Sequence, residues 1–154
     1  MEVVVFEINS NDEIFELVDK RFEDIFIHKF NPHQTIEWWR ADLKTAGLDL
    51  KNVSVRNMEF DIITDFEGLR DIIALKTNQL RIYQFEKPVF DTLVIENLPQ
   101  EFIEKILLQN GLKHSFYVDF EIITIESFDN EFVESIRNNP VFSKRIEERK
   151  IKAV

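Results

Sequence analysis

Met58-Glu-Phe-Asp-Ile-Ile-Thr64 aligns without a gap on Val118-Asp-Phe-Glu-Ile-Ile-Thr124, with four identities and three conservative exchanges. A second pair lies upstream, where Phe22-Glu-Asp-Ile-Phe-Ile27 resembles Phe90-Asp-Thr-Leu-Val-Ile95. Between the paired stretches each copy has a proline suited to opening a helix (Pro32, Pro99) and a glycine suited to closing it (Gly47, Gly111), the usual asymmetry of helix ends. Each Phe-x-Ile-Ile-Thr run is followed by an acidic residue in an N-cap position, Asp65 or Asp129, and then by an apolar-periodic stretch. This self-similarity predicts an internal duplication of a hairpin-helix-strand-helix unit, with pseudo-repeats over 11–77 and 79–138.

Outward from these segments, Asn11 to Phe26 reads in two ways. Alone it is an amphipathic helix, with Ile14, Leu17, Val18, Phe22 and Ile25 at a 3.6 period behind an Asn cap. Its counterpart, Gln79 to Ile95, alternates at Leu80, Arg81, Ile82 and Tyr83 and contains Pro88, which is strand behaviour. The repeat therefore favours a hairpin of Glu13–Val18 and Phe22–Ile27, turning at Asp19-Lys20-Arg21. The predicted layout is a strand at Val3–Ile8, helices over 32–46, 65–77, 99–110 and 129–138, and long strands over 53–64 and 114–125. A terminal basic helix over 140–152 starts at Pro140. No low-complexity linker divides the halves, so residues 1–154 are expected to form a single α+β domain, with helices packed on a mixed or antiparallel sheet.

At 154 residues the chain buries about 70% of its unfolded surface on folding. It has no cysteine, which excludes disulfides, thiolate metal sites and cysteine nucleophiles. Three isolated glycines exclude a phosphate-binding loop. Met1–Ile8 lacks the basic flank and cleavage site of a signal peptide, and no window reaches membrane-spanning length. The chain is read as cytoplasmic. Its net charge is −10, unevenly spread: Lys144–Lys152 carries +3 and the remainder −13. That field disfavours nucleic acid and anionic lipid and favours a cationic partner.

The candidate site residues fall into two groups. Glu59 and Asp61 flank Phe60, and Asp119 and Glu121 flank Phe120. Alternate residues on a strand share a face about 7 Å apart, a spacing that suits acid and base work or a divalent cation, and also the solvated positions of an ordinary sheet. Trp38-Trp39-Arg40 is the only tryptophan cluster, and helical geometry turns Ile36, Trp39 and Leu43 inward while Trp38 meets the rim. An exposed Trp beside Arg is typical of an interaction hot spot. The spacing of His28, His33 and His114 places no metal pair on one helix face, and His33-Gln34-Thr35 has no second copy to make a two-histidine site. No metal or cofactor is expected.

Phe116, Val118, Phe120 and Ile122 are assigned to one strand face, and Tyr117, Ile123 and Ile125 to the other. Such a doubly apolar strand is central or meets a partner, and with 15 phenylalanines it makes a homodimer a reading to test. Together these features point to a small acidic binding or inhibitor protein that neutralises a protein partner, as immunity proteins or nucleic-acid mimics do. A dimeric acidic secretion-type chaperone and a carboxylate-dependent enzyme with a site between the repeats are the alternatives. The absence of recognisable catalytic motifs argues against an enzyme.

Overall fold

Seven short segments rich in apolar residues build one antiparallel sheet, whose register positions most of the polar groups discussed below. The computed structural model describes residues 1–47, 53–75, 79–86 and 111–152. Strands β1 (Glu2–Glu7), β2 (Ile25–Phe30), β3 (Val53–Arg56), β4 (Glu59–Thr64), β5 (Gln79–Phe85), β6 (Leu112–Asp119) and β7 (Ile122–Ser127) lie in the order β1-β7-β6-β5-β2-β4-β3. Helices are α1 (Asp12–Leu17), α2 (Ile36–Thr45), α3 (Phe66–Ile73), α4 (Asn130–Arg137) and α5 (Pro140–Lys152). The α+β class predicted from sequence is the one that forms.

Two cross-strand rows floor the core. Val4, Ile125, Phe116, Ile82, Ile27, Ile62 and Val53 stand opposite one another across all seven strands, and Phe6, Ile123, Val118, Leu80, Lys29, Phe60 and Val55 make the next row. Ile14 and Leu17 of α1, Trp39 and Leu43 of α2, Leu69 and Ile72 of α3, Val133 and Ile136 of α4, and Phe142 and Ile146 of α5 all join this one cluster. Among the described residues, the helices thus cover a single face. Asp65 and Asp129 cap α3 and α4, accepting from the backbone N–H of Gly68 and of Glu131 and Phe132 respectively, which offsets donors that a helix start leaves unpaired.

Several expectations need correction. Glu13–Val18 is not a hairpin arm, because α1 takes Asp12–Leu17 and buries Ile14 and Leu17. The first half is therefore not a hairpin-helix-strand-helix unit. Neither 53–64 nor 114–125 is one long strand: the chain reverses at Asn57-Met58 and at Phe120-Glu121, with φ 73° at Met58 and 55° at Phe120. Both turns use side chains that rarely enter this backbone region. The second reversal also changes the face assignment, pairing Phe116 with Ile125 and Val118 with Ile123 on the same side. The ungapped match sets Phe60, buried in β4, against Phe120, 65% exposed in a turn, so the aligned residues are not structural equivalents and the structure does not show a duplication. The helix over 99–110 and the second copy of the upstream match lie outside the described residues.

Candidate functional site

The predicted carboxylates do not assemble into one site. Glu59 and Asp61 share the sheet face away from the helices with His28 and Arg56. The Nδ1 of His28 lies 2.7 Å from Asp61 Oδ1 and its Nε2 lies 3.5 Å from Glu59. Arg56 donates to Glu59 at 2.7 Å, to Ser54 Oγ at 3.2 Å and to Asp61. Asp61 is fully buried beneath these partners, so its charge is balanced internally and withheld from solvent. Asp119 faces the same side, but register places it opposite Gln79, three strands from Glu59 and about 14 Å away at the usual strand spacing. Glu121 sits exposed in the β6–β7 turn.

A second polar cluster, missed in the sequence, lies inside the helix-covered face. Register aligns Ser127, His114 and Gln84 on β7, β6 and β5, and the loop after α1 places Asp19 against them. His114 Nε2 is 2.8 Å from Asp19 Oδ2 and Nδ1 is 2.7 Å from Ser127 Oγ. Gln84 accepts from the Asp19 N–H and donates to the carbonyls of Asp19 and Phe22. Arg21 closes the cluster, donating to both Asp19 oxygens and to Asp129. Burial pushes the Asp19 carboxyl up, but hydrogen bonds from Arg21 and His114 outweigh it and hold the group at about 2. Burial pushes His114 below its ordinary value against the pull of Asp19.

Ser127, His114 and Asp19 have the order of a hydrolytic triad, yet the geometry opposes that chemistry. His114 and Ser127 are fully buried, and Ser127 Oγ already accepts from the Asp129 N–H at 2.9 Å. The neighbouring cleft of about 430 Å³ is lined by Asp19, Arg21 and Phe132, with the serine behind the imidazole. A nucleophile needs room for a reacting carbon beside it. This network instead fastens the 18–22 loop to the sheet.

The tryptophan pair divides as helical geometry predicts. Trp39 is fully buried, its ring edge-on to Phe60 at 4.7 Å, whereas Trp38 is 62% exposed. Arg40 and Glu37 are exposed beside it. The start of α2 is tied to the β3–β4 turn: Asn57 Oδ1 accepts from the Ile36 N–H, and the Met58 N–H donates to Gln34. Met58, 46% exposed, therefore stands on the same braced rim as Trp38.

Among the described residues no group of three His, Asp or Glu side chains is placed to hold a metal, and no helix is long and apolar enough to cross a membrane. No family model, curated protein or solved structure matches the chain.

Proposed function

We propose that the protein is a binding module that captures and neutralises a protein partner through the rim where α2 meets the β3–β4 turn. The observation that carries this reading is Trp38, a large apolar side chain left 62% exposed on a helix whose neighbouring Trp39 is locked in the core. A rigid Trp with Met and Arg nearby is the composition of an interface core. Met58 adds a second exposed apolar side chain at a left-handed backbone position, φ 73°, of the kind that functional surfaces retain. The net charge of −10 favours a cationic partner by accelerating encounter. The enzyme reading loses support because Asp61 is committed to Arg56 and His28 and Asp119 stands apart.

Capture from host lysate by the immobilised protein, compared with Trp38→Ala and Arg40→Glu variants at about 50 and 500 mM salt, tests this. The expected result is a partner held by the parent chain, weakened by salt and lost on Trp38→Ala, with no change in Tm. A protein captured equally by all three chains would refute the assignment of this rim.

A further inference from the structure

The edge strand β1 and the basic helix α5 form a groove of a different character from the α2 rim. β1 ends the strand order, and α5 packs along it, anchored by Phe142 against Phe6 at 5.4 Å between ring centroids. Two clefts follow the strand. One, of about 390 Å³, is lined by Val3, Val4, Val5, Ile146, Arg149 and Lys150, together with Arg137. The other, of about 470 Å³, continues past Glu7 and Asn9 with Val141, Lys144, Arg145 and Glu148, and the two meet at Arg149. An apolar floor therefore runs beneath a basic rim in which Arg137 is paired with Glu2 and Glu134, Arg145 with Glu13 and Lys150 with Glu147, while Lys144 and Arg149 stand beside the strand, on a chain whose total charge is −10.

The backbone of β1 is also poised. The Ile8 N–H donates to Glu121 on the β7 side at 2.8 Å. Because antiparallel hydrogen bonding alternates, even-numbered residues of β1 point their peptide groups toward β7 and odd-numbered ones point away. The N–H and C=O of Val3 and Val5 thus face the outer edge, where no described strand lies. A row of such groups is a template for one more strand.

We propose that this groove takes an extended acidic segment of a partner protein, added to β1 as an eighth strand, with its carboxylates turned to Lys144 and Arg149 on the α5 side and its alternate apolar side chains beside Val3 and Val5 on the other face. Charge selects this occupant over a second copy of the chain. A twofold β1–β1 pairing with both helical layers on one face would set the cationic α5 against its own twin, and like charges so placed repel.

The probe is a fluorescein-labelled peptide of about eight alternating valine and glutamate residues, with a valine–lysine peptide as control, read by anisotropy at low salt. Val5→Pro removes an outward N–H and leaves the β7 ladder intact, since proline is tolerated on edge strands. Lys144→Glu/Arg149→Glu reverses the rim without touching the backbone. The expected outcome is binding of the glutamate peptide at least about tenfold tighter than the lysine peptide, and loss of about tenfold or more in each variant with Tm retained. Equal binding of both peptides, or glutamate-peptide binding unaffected in the charge-reversed variant, would overturn the proposal. So would sedimentation showing a dimer that blocks the peptide, because the second copy would then be the occupant.

Discussion

Lys29 offers the sharpest test of how this core is built. It lies on β2 in the row between Leu80 and Phe60, fully buried, with Nζ donating to the carbonyls of Ile72 at 3.0 Å and Leu75 at 2.8 Å. The Ile72 carbonyl belongs to the last turn of α3 and that of Leu75 follows its C-cap, where a cation meets the negative end of the helix dipole. Burial nevertheless lowers the ammonium from 10.5 to about 7, against the attraction of Asp42. Because the folded value lies below the unfolded one, the unfolded chain binds the extra proton between pH 7 and 10.5, and stability rises with pH across that window. Each unit is worth about 1.4 kcal/mol, so raising the pH from 7 to about 9.5 should add about 3 kcal/mol to the parent chain. Lys29→Met removes the titration while keeping much of the volume; it withdraws one hydrogen bond from each carbonyl, that of Ile72 still accepting from the Leu75 N–H, at a cost of about 1–3 kcal/mol that does not vary with pH. Denaturant unfolding of both chains from pH 6 to 9.5 isolates the effect, because every other titration cancels in the difference. The parent should gain on the variant by about 3 kcal/mol above pH 7. Parallel stability curves would refute the reasoning and show that the α3 carbonyls keep Lys29 charged throughout.

The Asp19–His114 network should make the protein acid-sensitive in two stages: His114, held below its ordinary value, withdraws stability as pH falls below about 6.5, and Asp19, at about 2, withdraws about 2 kcal/mol more between pH 4 and 2. His114→Gln should abolish the first stage in Tm measured against pH, and an unchanged profile would count against this role. Gly68→Ala should cost about 1–3 kcal/mol, because an added Cβ would collide with the Thr64 side chain; Thr64→Ala should recover part of the loss in chemical denaturation, and no coupling between the two sites would disprove the clash. Trp39→Ala should cost about 3–5 kcal/mol and Trp38→Ala less than about 0.5, as thermal unfolding would show, and comparable losses would mean that Trp38 packs in solution.

Features whose cause is local were legible in the sequence. The caps at Asp65 and Asp129 act through residues two or three positions on, Asn139 accepts from Val141 and Phe142 at the start of the terminal helix, and Gly47 takes φ 78° just after α2. Alternation likewise marked β5 at Leu80–Tyr83. Reversals were not legible, because Met58 and Phe120 occupy positive φ without the glycine that announces such turns. A missed two-residue turn converts one long strand into a hairpin and resets which side chains share a face. The Asp19 cluster was hidden for another reason: Asp19 lies 65 positions from Gln84 and 95 from His114, distances over which periodicity within a segment has no bearing.

The carboxylate pair illustrates the deeper limit. Alternation correctly places Glu59 and Asp61 on one side of β4, yet a period of two specifies a shared face without specifying what covers it. Lys29 obeys the same alternation as Ile25 and Ile27 and is buried with them against the helices, whereas His28, one residue away, faces the opposite side. The fate of a charged residue in these strands therefore depends on its partners. It is buried when a partner is supplied from elsewhere in the fold, as α3 carbonyls serve Lys29 and Arg56 serves Asp61, because an unpaired charge there would cost several kcal/mol. Outside the strands the constraint lapses: Glu121, in the turn between β6 and β7, stays at the surface. Partner supply depends on the sheet order β5-β2-β4-β3, which brings Arg56 and His28 to either side of β4. The strand order, more than the spacing of the carboxylates, thus decides that Asp61 is part of the scaffold.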